Sequence, residues 1–272
     1  MHTIEAKDLR VKDFLHAHSI RLKPGIYGII GTNGAGKTTL MRAIAAHLPM
    51  TSGSIETAPT ALARTGADIL LAGHTVKDHL HIAQKARGEL DIAYANRLLA
   101  RFELHPSEVC SRLSTGKRQL IANITVLAAR TPVTLMDEPF TGLDVPTREV
   151  LRQVIIEHAS HNDDWTLLLS SHRAEDLAGL VEGLIVVQKG RAVGPLLLDE
   201  QRELYPLFTG ESSAVDDAVA ALTGSVVSQQ KLGRTSRVRV QLAEPLNTPL
   251  HGIDTDFPDD VQLIDSLVSA QL

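Results

Sequence analysis

The sequence predicts an α/β fold in which a largely parallel sheet carries a helical subdomain, followed by a small α+β extension. Short apolar runs at residues 26–30, 133–136 and 166–169 end in glycine-rich or polar residues, which is typical of buried parallel strands. The segment 73–130 has mostly helical patterns. Beyond residue 200 the patterns change to one helix and alternating strands.

These patterns divide the chain into two parts. We expect one domain over residues 1–200, with its helical subdomain at about 73–130, and an extension over residues 201–272. Within the extension we expect a helix at Ser212–Leu222, strands at Ser225–Gln230 and Arg237–Leu242, and a loop at Asp254–Asp260. The extension has no catalytic motif, so we expect it to stabilise a dimer or to dock on the first domain.

Composition narrows the class of protein. The chain has 272 residues, 43% of them hydrophobic, and a net charge of −5, which argues against a broad nucleic-acid surface. No run approaches the length of a membrane helix, and no signal peptide is visible. The single cysteine, Cys110, excludes an internal disulfide, fits a reducing cytoplasm and is expected to be a small buried residue.

A glycine-rich loop lies between the first of these strands and a helix. Residues 31–39 read Gly-Thr-Asn-Gly-Ala-Gly-Lys-Thr-Thr, which fits the phosphate-binding pattern G-x-x-x-x-G-K-[ST]. Glycines let the backbone approach a phosphate, Lys37 is expected to hold the β- and γ-phosphates, and the Thr38 hydroxyl to bind Mg²⁺. The residues expected to bind the nucleotide here are Thr32, Asn33, Gly34, Ala35, Gly36, Lys37, Thr38 and Thr39. The loop therefore predicts a nucleoside-triphosphate site.

Polar residues follow two further strands. Asp137 and Glu138 come directly after the apolar run 133–136, and His172 follows the run 166–169 and two serines. Because ligands of parallel sheets bind at the carboxyl ends of the strands, these side chains are expected at one edge. Asp137 is predicted to hold Mg²⁺, Glu138 to polarise the attacking water as a general base, and His172 to contact the γ-phosphate.

A second anion site is predicted at the start of another helix. Ser114 is a good N-cap, and Gly116 permits a close backbone approach, so this helix start can also bind an anion. One ATP cannot reach two distant helix starts of the same chain. The two sites therefore indicate a dimer with shared nucleotides.

Together these motifs, over residues 20–195, resemble the ATP-binding cassette (ABC) family. The resemblance implies a Walker A loop at 31–39, a signature at 113–117, a Walker B strand ending at Asp137, a catalytic Glu138, a D-loop at 142–144 and a switch histidine at His172. It also implies ATP and Mg²⁺ as cofactors, a second ABC subunit across the nucleotides, and an integral membrane permease as partner. A separate single cassette with a short extension resembles the ATPases of bacterial drug and peptide exporters, which favours export and a cytoplasmic location on the inner face of the membrane.

Three features depart from the family pattern. The signature reads Leu-Ser-Thr-Gly-Lys where the family usually has Leu-Ser-Gly-Gly-Gln, so Lys117 stands in place of glutamine, and it can contact phosphate or ribose or lie in solvent. The usual glutamine before the helical subdomain is missing, and Asp68 is the nearest candidate to replace it. For the aromatic residue that stacks on adenine, Phe14 is the best candidate, although it could equally be core, whereas Tyr27 is expected to pack in its strand.

Other readings of the chain stay open at this point. One alternative is a soluble ABC ATPase that acts on ribosomes or DNA, although such members usually carry two cassettes or long coiled coils. Another alternative is a weakly active ATP-binding switch, which the missing glutamine favours. Three histidine pairs, His16/His18, His79/His81 and His158/His161, have no third ligand at a fixed spacing, so we expect no metal site there.

Overall fold

A computed structural model describes residues 3–12, 14–66, 70–246 and 250–270. In this part of the chain, nine strands form one mixed sheet in the order β4-β1-β2-β9-β8-β3-β7-β6-β5. These strands are β1 Ile4–Val11, β2 Leu15–Leu22, β3 Gly25–Ile30, β4 Ser52–Thr57, β5 Thr60–Ala63, β6 Val133–Met136, β7 Thr166–Ser171, β8 Gly183–Gln188 and β9 Arg191–Leu197. The predicted α/β class is confirmed.

The centre of the sheet is parallel and buried. Strand β3 pairs in parallel with β7 and β8, and β7 pairs in parallel with β6. Every residue of β6 and β7 is buried, as expected for strands covered on both faces. In the register, Gly25 and Val133 both lie beside Thr166, so the carboxyl ends of the three strands lie side by side. This alignment brings together the three loops that carry the predicted site.

The antiparallel strands β1, β2 and β4 were not predicted from the sequence. Strands β1 and β2 each bury one face, but their burial pattern is interrupted by two adjacent exposed residues. A short interrupted alternation of this kind is a weak sequence signal for a strand. The buried residues of β1 and β2 share one core cluster with Leu40, Met41 and Ile44, so it is packing of the helix after β3 onto this face that buries them.

Helix α1, Lys37–Ile44, is shorter than its apolar spacing predicts. Ala46 has a left-handed backbone with φ 57°, and the N–H of His47 bonds the carbonyl of Arg42 at 2.7 Å. The N–H of Ala46 bonds the carbonyl of Ala43 at 3.0 Å, which completes a Schellman termination. The turn stops the helix before Pro49, so the helix ends where its backbone bonds are satisfied rather than at the proline.

Between β5 and β6, the described residues form a subdomain of three α-helices. They are α2 Val76–Arg87, α3 Ile92–Arg101 and α4 Thr115–Ala128, with a short 3-10 helix at Cys110–Arg112 before α4. Thr75 caps α2 in a capping box: its hydroxyl accepts the backbone N–H of Asp78, and the Asp78 carboxylate accepts the backbone N–H of Thr75. Cys110 is 1% exposed, as expected, and burial raises the pKa of its thiol.

The C-terminal part forms its own four-stranded antiparallel sheet in the order β11-β12-β10-β13. Its elements are β10 Leu207–Glu211, α8 Ser212–Ala221, β11 Gly224–Leu232, β12 Thr235–Leu242 and β13 Asp254–Asp256. The segment predicted as a loop at 254–260 instead holds β13 and the first residue of a last helix, α9 Asp260–Ala270. Sequence reading missed that helix.

Helix α9 turns back onto the first part of the chain. It packs against β8, α6 Ala174–Leu177 and α7 Leu198–Arg202. Its apolar residues Leu263, Ile264 and Leu267 join the core cluster of the large sheet. The Asp260 carboxylate accepts a bond of 2.7 Å from the Gly179 N–H and one of 2.6 Å from the Arg202 guanidinium. The extension therefore docks on the segment that follows β7.

Candidate active site

The glycine-rich loop is shaped by its neighbours as well as by its own residues. A Cβ on Gly31 would collide with the carbonyl oxygen of Val187, so only glycine fits so close to β8. Gly34 and Gly36 have φ values of 80° and 115°, which residues other than glycine rarely adopt. Helix α1 begins at Lys37, and its first N–H groups have no acceptor inside the helix. The loop and helix start are thus built to receive a phosphate.

Lys37 is a buried cation held beside the loop. Its side chain is 7% exposed, and its Nζ donates to the Gly31 carbonyl at 2.8 Å and to the Thr32 carbonyl at 3.4 Å. The Glu138 carboxylate lies 3.4 Å from the same nitrogen. A buried ammonium flanked by one carboxylate and two carbonyls is in place to meet phosphate oxygens.

Asp137 lies at the end of β6 and is 2% exposed. Its two oxygens accept hydrogen bonds from the Thr38 hydroxyl at 2.8 Å and from the Ser170 hydroxyl at 2.7 Å. The sequence predicts both Thr38 and Asp137 as Mg²⁺ ligands, and the fold brings them together across 99 residues of chain. A carboxylate beside a hydroxyl oxygen suits the ligand preferences of Mg²⁺.

Ser170 is a site residue that sequence analysis missed. Besides bonding Asp137, its hydroxyl accepts the backbone N–H of Glu138 at 2.9 Å. One buried hydroxyl on β7 therefore fixes both acidic residues that follow β6. The available signal was a serine at the end of an otherwise apolar run, which is weak unless the pairing of β6 with β7 is known.

Glu138 connects the lysine to the histidine. One carboxylate oxygen faces Lys37, and the other lies 3.0 Å from Nδ1 of His172. The backbone of Glu138 is left-handed, with φ 48°, which is uncommon for this residue type and typical of functional sites. The fold thus unites Lys37, Asp137, Glu138 and His172 at the carboxyl ends of β3, β6 and β7.

The second predicted anion site lies at the start of α4. The Ser114 side chain accepts the N–H of Lys117 at 3.3 Å, and so caps the helix as predicted. A Cβ on Gly116 would collide with the carbonyl oxygen of Gly142, which places this helix start against the loop after Glu138. Among the described residues, no hydrogen bond joins the start of α4 to the loop 31–39.

Three of the remaining predictions can be placed. Phe14 is 69% exposed, so it is not a core residue, and its carbonyl lies close to Gly36 and Gly190. Tyr27 is 5% exposed and packs in the core as expected. Asp144 caps helix α5, Val145–Ser160, by accepting the N–H of Thr147 at 3.0 Å. The candidate Asp68 lies outside the described residues.

Known proteins are similar to this chain in sequence and in fold. A family model described as ABC transporter matches residues 15–141. The chain is 27% identical over 199 residues to the ABC transporter ATP-binding protein YtrB of Bacillus subtilis (strain 168), covering 69% of this chain and 68% of that protein. It is 30% identical over 232 residues to the methionine import ATP-binding protein MetN of Xanthomonas campestris pv. campestris (strain 8004), and the match covers 75% of this chain and 69% of that protein.

A solved structure of an ATP binding subunit of an ABC transporter superposes with a TM-score of 0.65 at 24% identity, covering 74% of this chain and 92% of that one. At that identity the likeness supports the fold alone. The extent of the match to the methionine import protein shows the family. The buried lysine, the acidic pair and the glycine-rich loop thus have the sequence and fold context of one known class: the chain belongs to the ATP-binding subunits, the ATPases, of ABC transporters.

Proposed function

We propose that this chain hydrolyses ATP to drive a separate integral membrane permease, as one of two ABC subunits at the inner face of the membrane. The convergence of Lys37, Asp137, Glu138 and His172 at one sheet edge carries the proposal. Among the described residues no helix is long and apolar enough to cross a bilayer. The family implies that a separate permease would supply the transport step.

Each side chain would have a separate task in hydrolysis. Lys37 and the N–H groups at the start of α1 would bind the β- and γ-phosphates. Thr38 and Asp137 would hold Mg²⁺, which when bound neutralises phosphate charge. Glu138 would take the proton from the attacking water, and His172, 3.0 Å from its carboxylate, would orient that carboxylate and contact the γ-phosphate.

The remaining site residues would complete the nucleotide pocket. Phe14 is an exposed ring whose backbone borders Gly36 and Gly190, which supports its proposed stacking on adenine. Ser114 and Gly116 would bind the nucleotide held by the other subunit, because the N–H groups at a helix start such as that of α4 can bind an anion. Asp144 would help to set the partner's site across such a dimer.

The direction of transport is a separate question. The preference for export rested on resemblance to drug and peptide exporters. The similar proteins do not support it, since they include an ATP-binding protein named for methionine import. The proposal is therefore the powering of a permease, without a stated direction or cargo.

Glu138→Gln provides the test. This substitution keeps the shape of the side chain and removes the base, so we expect hydrolysis to fall by about 100-fold or more. The variant should also accumulate as an ATP-bound dimer, visible by size-exclusion chromatography with Mg²⁺ and ATP. Hydrolysis at the wild-type rate would show that Glu138 is not the base. A mild-detergent pull-down that recovers ribosomal proteins and no polytopic membrane protein would contradict the permease assignment.

A further inference from the structure

Glu138 has a backbone conformation that its neighbours must hold. Its φ of 48° lies in the left-handed region, which a residue with a side chain keeps only where the surrounding contacts determine it. In this conformation its two carboxylate oxygens lie 3.4 Å from Nζ of Lys37 and 3.0 Å from Nδ1 of His172. A right-handed backbone would direct the carboxylate elsewhere. Whatever holds this part of the chain therefore also holds the proposed general base.

The chain after Glu138 is held from helix α4. Asn123 lies inside this helix and is 0% exposed, and its side-chain Nδ2 donates to the carbonyl of Pro139 at 3.0 Å. Pro139 is buried, and within the described parts of the chain no other donor bonds its carbonyl. Because a buried carbonyl without a partner is costly, this bond ties α4 to the residue that follows Glu138.

Gln119 orients the amide of Asn123. It lies one turn earlier on the same face of α4 and is 2% exposed. Its Nε2 donates to Oδ1 of Asn123 at 3.3 Å, which leaves Nδ2 of Asn123 to face Pro139. The same nitrogen of Gln119 lies 3.5 Å from the carbonyl of Asp137, a weak contact at the limit of hydrogen bonding. The two amides thus contact the chain on both sides of Glu138.

Packing alone does not require these two polar side chains. Asparagine and leucine have nearly the same shape, and an amide in an apolar environment is favourable only when its polar atoms are bonded. The other side chains of α4 that join this core are apolar, namely Leu120, Ile121, Ile124 and Leu127. The hydrogen bonds, rather than side-chain volume, therefore explain an asparagine at position 123.

We propose that Asn123 is a positioning residue for ATP hydrolysis, which keeps Glu138 in its left-handed conformation by holding the Pro139 carbonyl, with Gln119 orienting its amide. The inference rests on the proposed role of Glu138 as the general base. Among the described residues neither amide bonds the loop 31–39. Losing them should therefore slow the chemical step and leave ATP binding unchanged.

Asn123→Leu in the full chain tests the proposal. Leucine keeps the volume and removes both polar ends of the amide, so we expect kcat to fall about ten-fold while KM for ATP stays within about two-fold. Gln119→Met leaves the bond to Pro139 in place and should lower kcat about three-fold. Thermal unfolding shows whether each variant is folded at the assay temperature, and Gln119→Met carries the test if Asn123→Leu does not fold.

Thr125→Val is the matched control on the same helix. The Thr125 hydroxyl bonds only the carbonyl of Ile121, one turn earlier in α4, at 2.7 Å. Valine has the same shape as threonine, so this variant removes a partly buried polar group of α4 without touching the chain around Glu138. We expect its kcat and KM to equal those of the wild type.

A double variant separates positioning from a general structural effect. If Asn123 acts only through the Glu138 carboxylate, Asn123→Leu should change the residual hydrolysis rate of Glu138→Gln by less than about two-fold. A further ten-fold loss in that background would overturn the positioning role, and so would a wild-type kcat in both Asn123→Leu and Gln119→Met. Hydrolysis by Glu138→Gln at the wild-type rate is a different result: it refutes the proposed base, and the inference about Asn123 fails with it.

Discussion

Replacing Ser170 by alanine tests whether one buried hydroxyl holds both acidic residues of the site in place. The side chain of Ser170 is fully buried, donates to Asp137 at 2.7 Å and accepts the Glu138 N–H at 2.9 Å. A hydrogen bond to a charged group contributes about 1.5–3 kcal/mol and one between neutral groups about 1 kcal/mol. Because S170A leaves buried partners without a bond, we expect it to lower the free energy of unfolding by about 3 kcal/mol.

The single tryptophan makes this measurable. Trp165 is buried, 5% exposed, and immediately precedes β7, so its fluorescence in a urea titration follows the unfolding of the large sheet. The activity of S170A should fall about ten-fold or more, since Asp137 and Glu138 lose their common support. Nucleotide affinity without Mg²⁺ should stay within about two-fold, because Lys37 and the loop 31–39 are untouched.

Ser266→Ala is the matched control. Its hydroxyl is also buried, at 5% exposure, but bonds only the carbonyl of Gln262 one turn earlier in α9. Because that carbonyl belongs to the helix ladder, S266A should cost about 0.5 kcal/mol or less and leave hydrolysis unchanged. If S170A destabilises the protein no more than S266A and keeps wild-type activity, the support assigned to Ser170 is refuted.

Three further predictions concern the loop, a buried histidine and the docked extension. Gly31→Ala should lower the free energy of unfolding by at least about 3 kcal/mol, measured by thermal unfolding, because its Cβ would collide with the Val187 carbonyl oxygen. A Cβ on Gly34 has open space around it, so Gly34→Ala should lower that free energy by only about 1 kcal/mol, from backbone strain. Burial lowers the pKa of His158 from 6.5 to about 4, so the folded state resists the proton that the unfolded state accepts. The free energy of unfolding of the wild type should therefore fall by about 3 kcal/mol more than that of His158→Gln when the pH is lowered from 6.5 to 4. Urea titrations at each pH would measure this, and an equal pH dependence of the two free energies would contradict the prediction. Asp260→Ala removes the hydrogen bonds to Gly179 and Arg202, so we expect it to lower the free energy of unfolding by about 2 kcal/mol and to speed proteolysis before α9. Unchanged cleavage would mean that these bonds do not hold the helix.

Much of the site was predictable because its signals are local. The loop 31–39 is a continuous segment whose glycines and lysine are adjacent in sequence, and its flanking strand and helix have clear apolar patterns. The same holds for the cap at Ser114, where the capping serine lies three residues from the N–H it accepts. Local geometry, set by backbone dihedrals and short-range bonds, is encoded in neighbouring residues.

The rest depended on pairs that are far apart in the chain. Nothing near Ser170 indicates that it bonds Asp137, 33 residues earlier, until β6 and β7 are paired. Whether Phe14 was core or exposed was undecided by sequence, since one aromatic beside one leucine fits either environment. Strand register and docking decide such contacts, because they select which distant surfaces meet.

The sequence by itself determined the nucleotide loop, the acidic strand end, the helical subdomain and the family, because short continuous segments of the sequence encode each of them. Only the tertiary structure decided that one hydroxyl supports both acids, that the Glu108 carboxylate lies 2.9 Å from the Lys117 ammonium, and that α9 returns to the segment after β7. Those contacts arise when packing of the sheet and helices brings separate segments within hydrogen-bond distance, and their energy depends on burial that no single segment has alone.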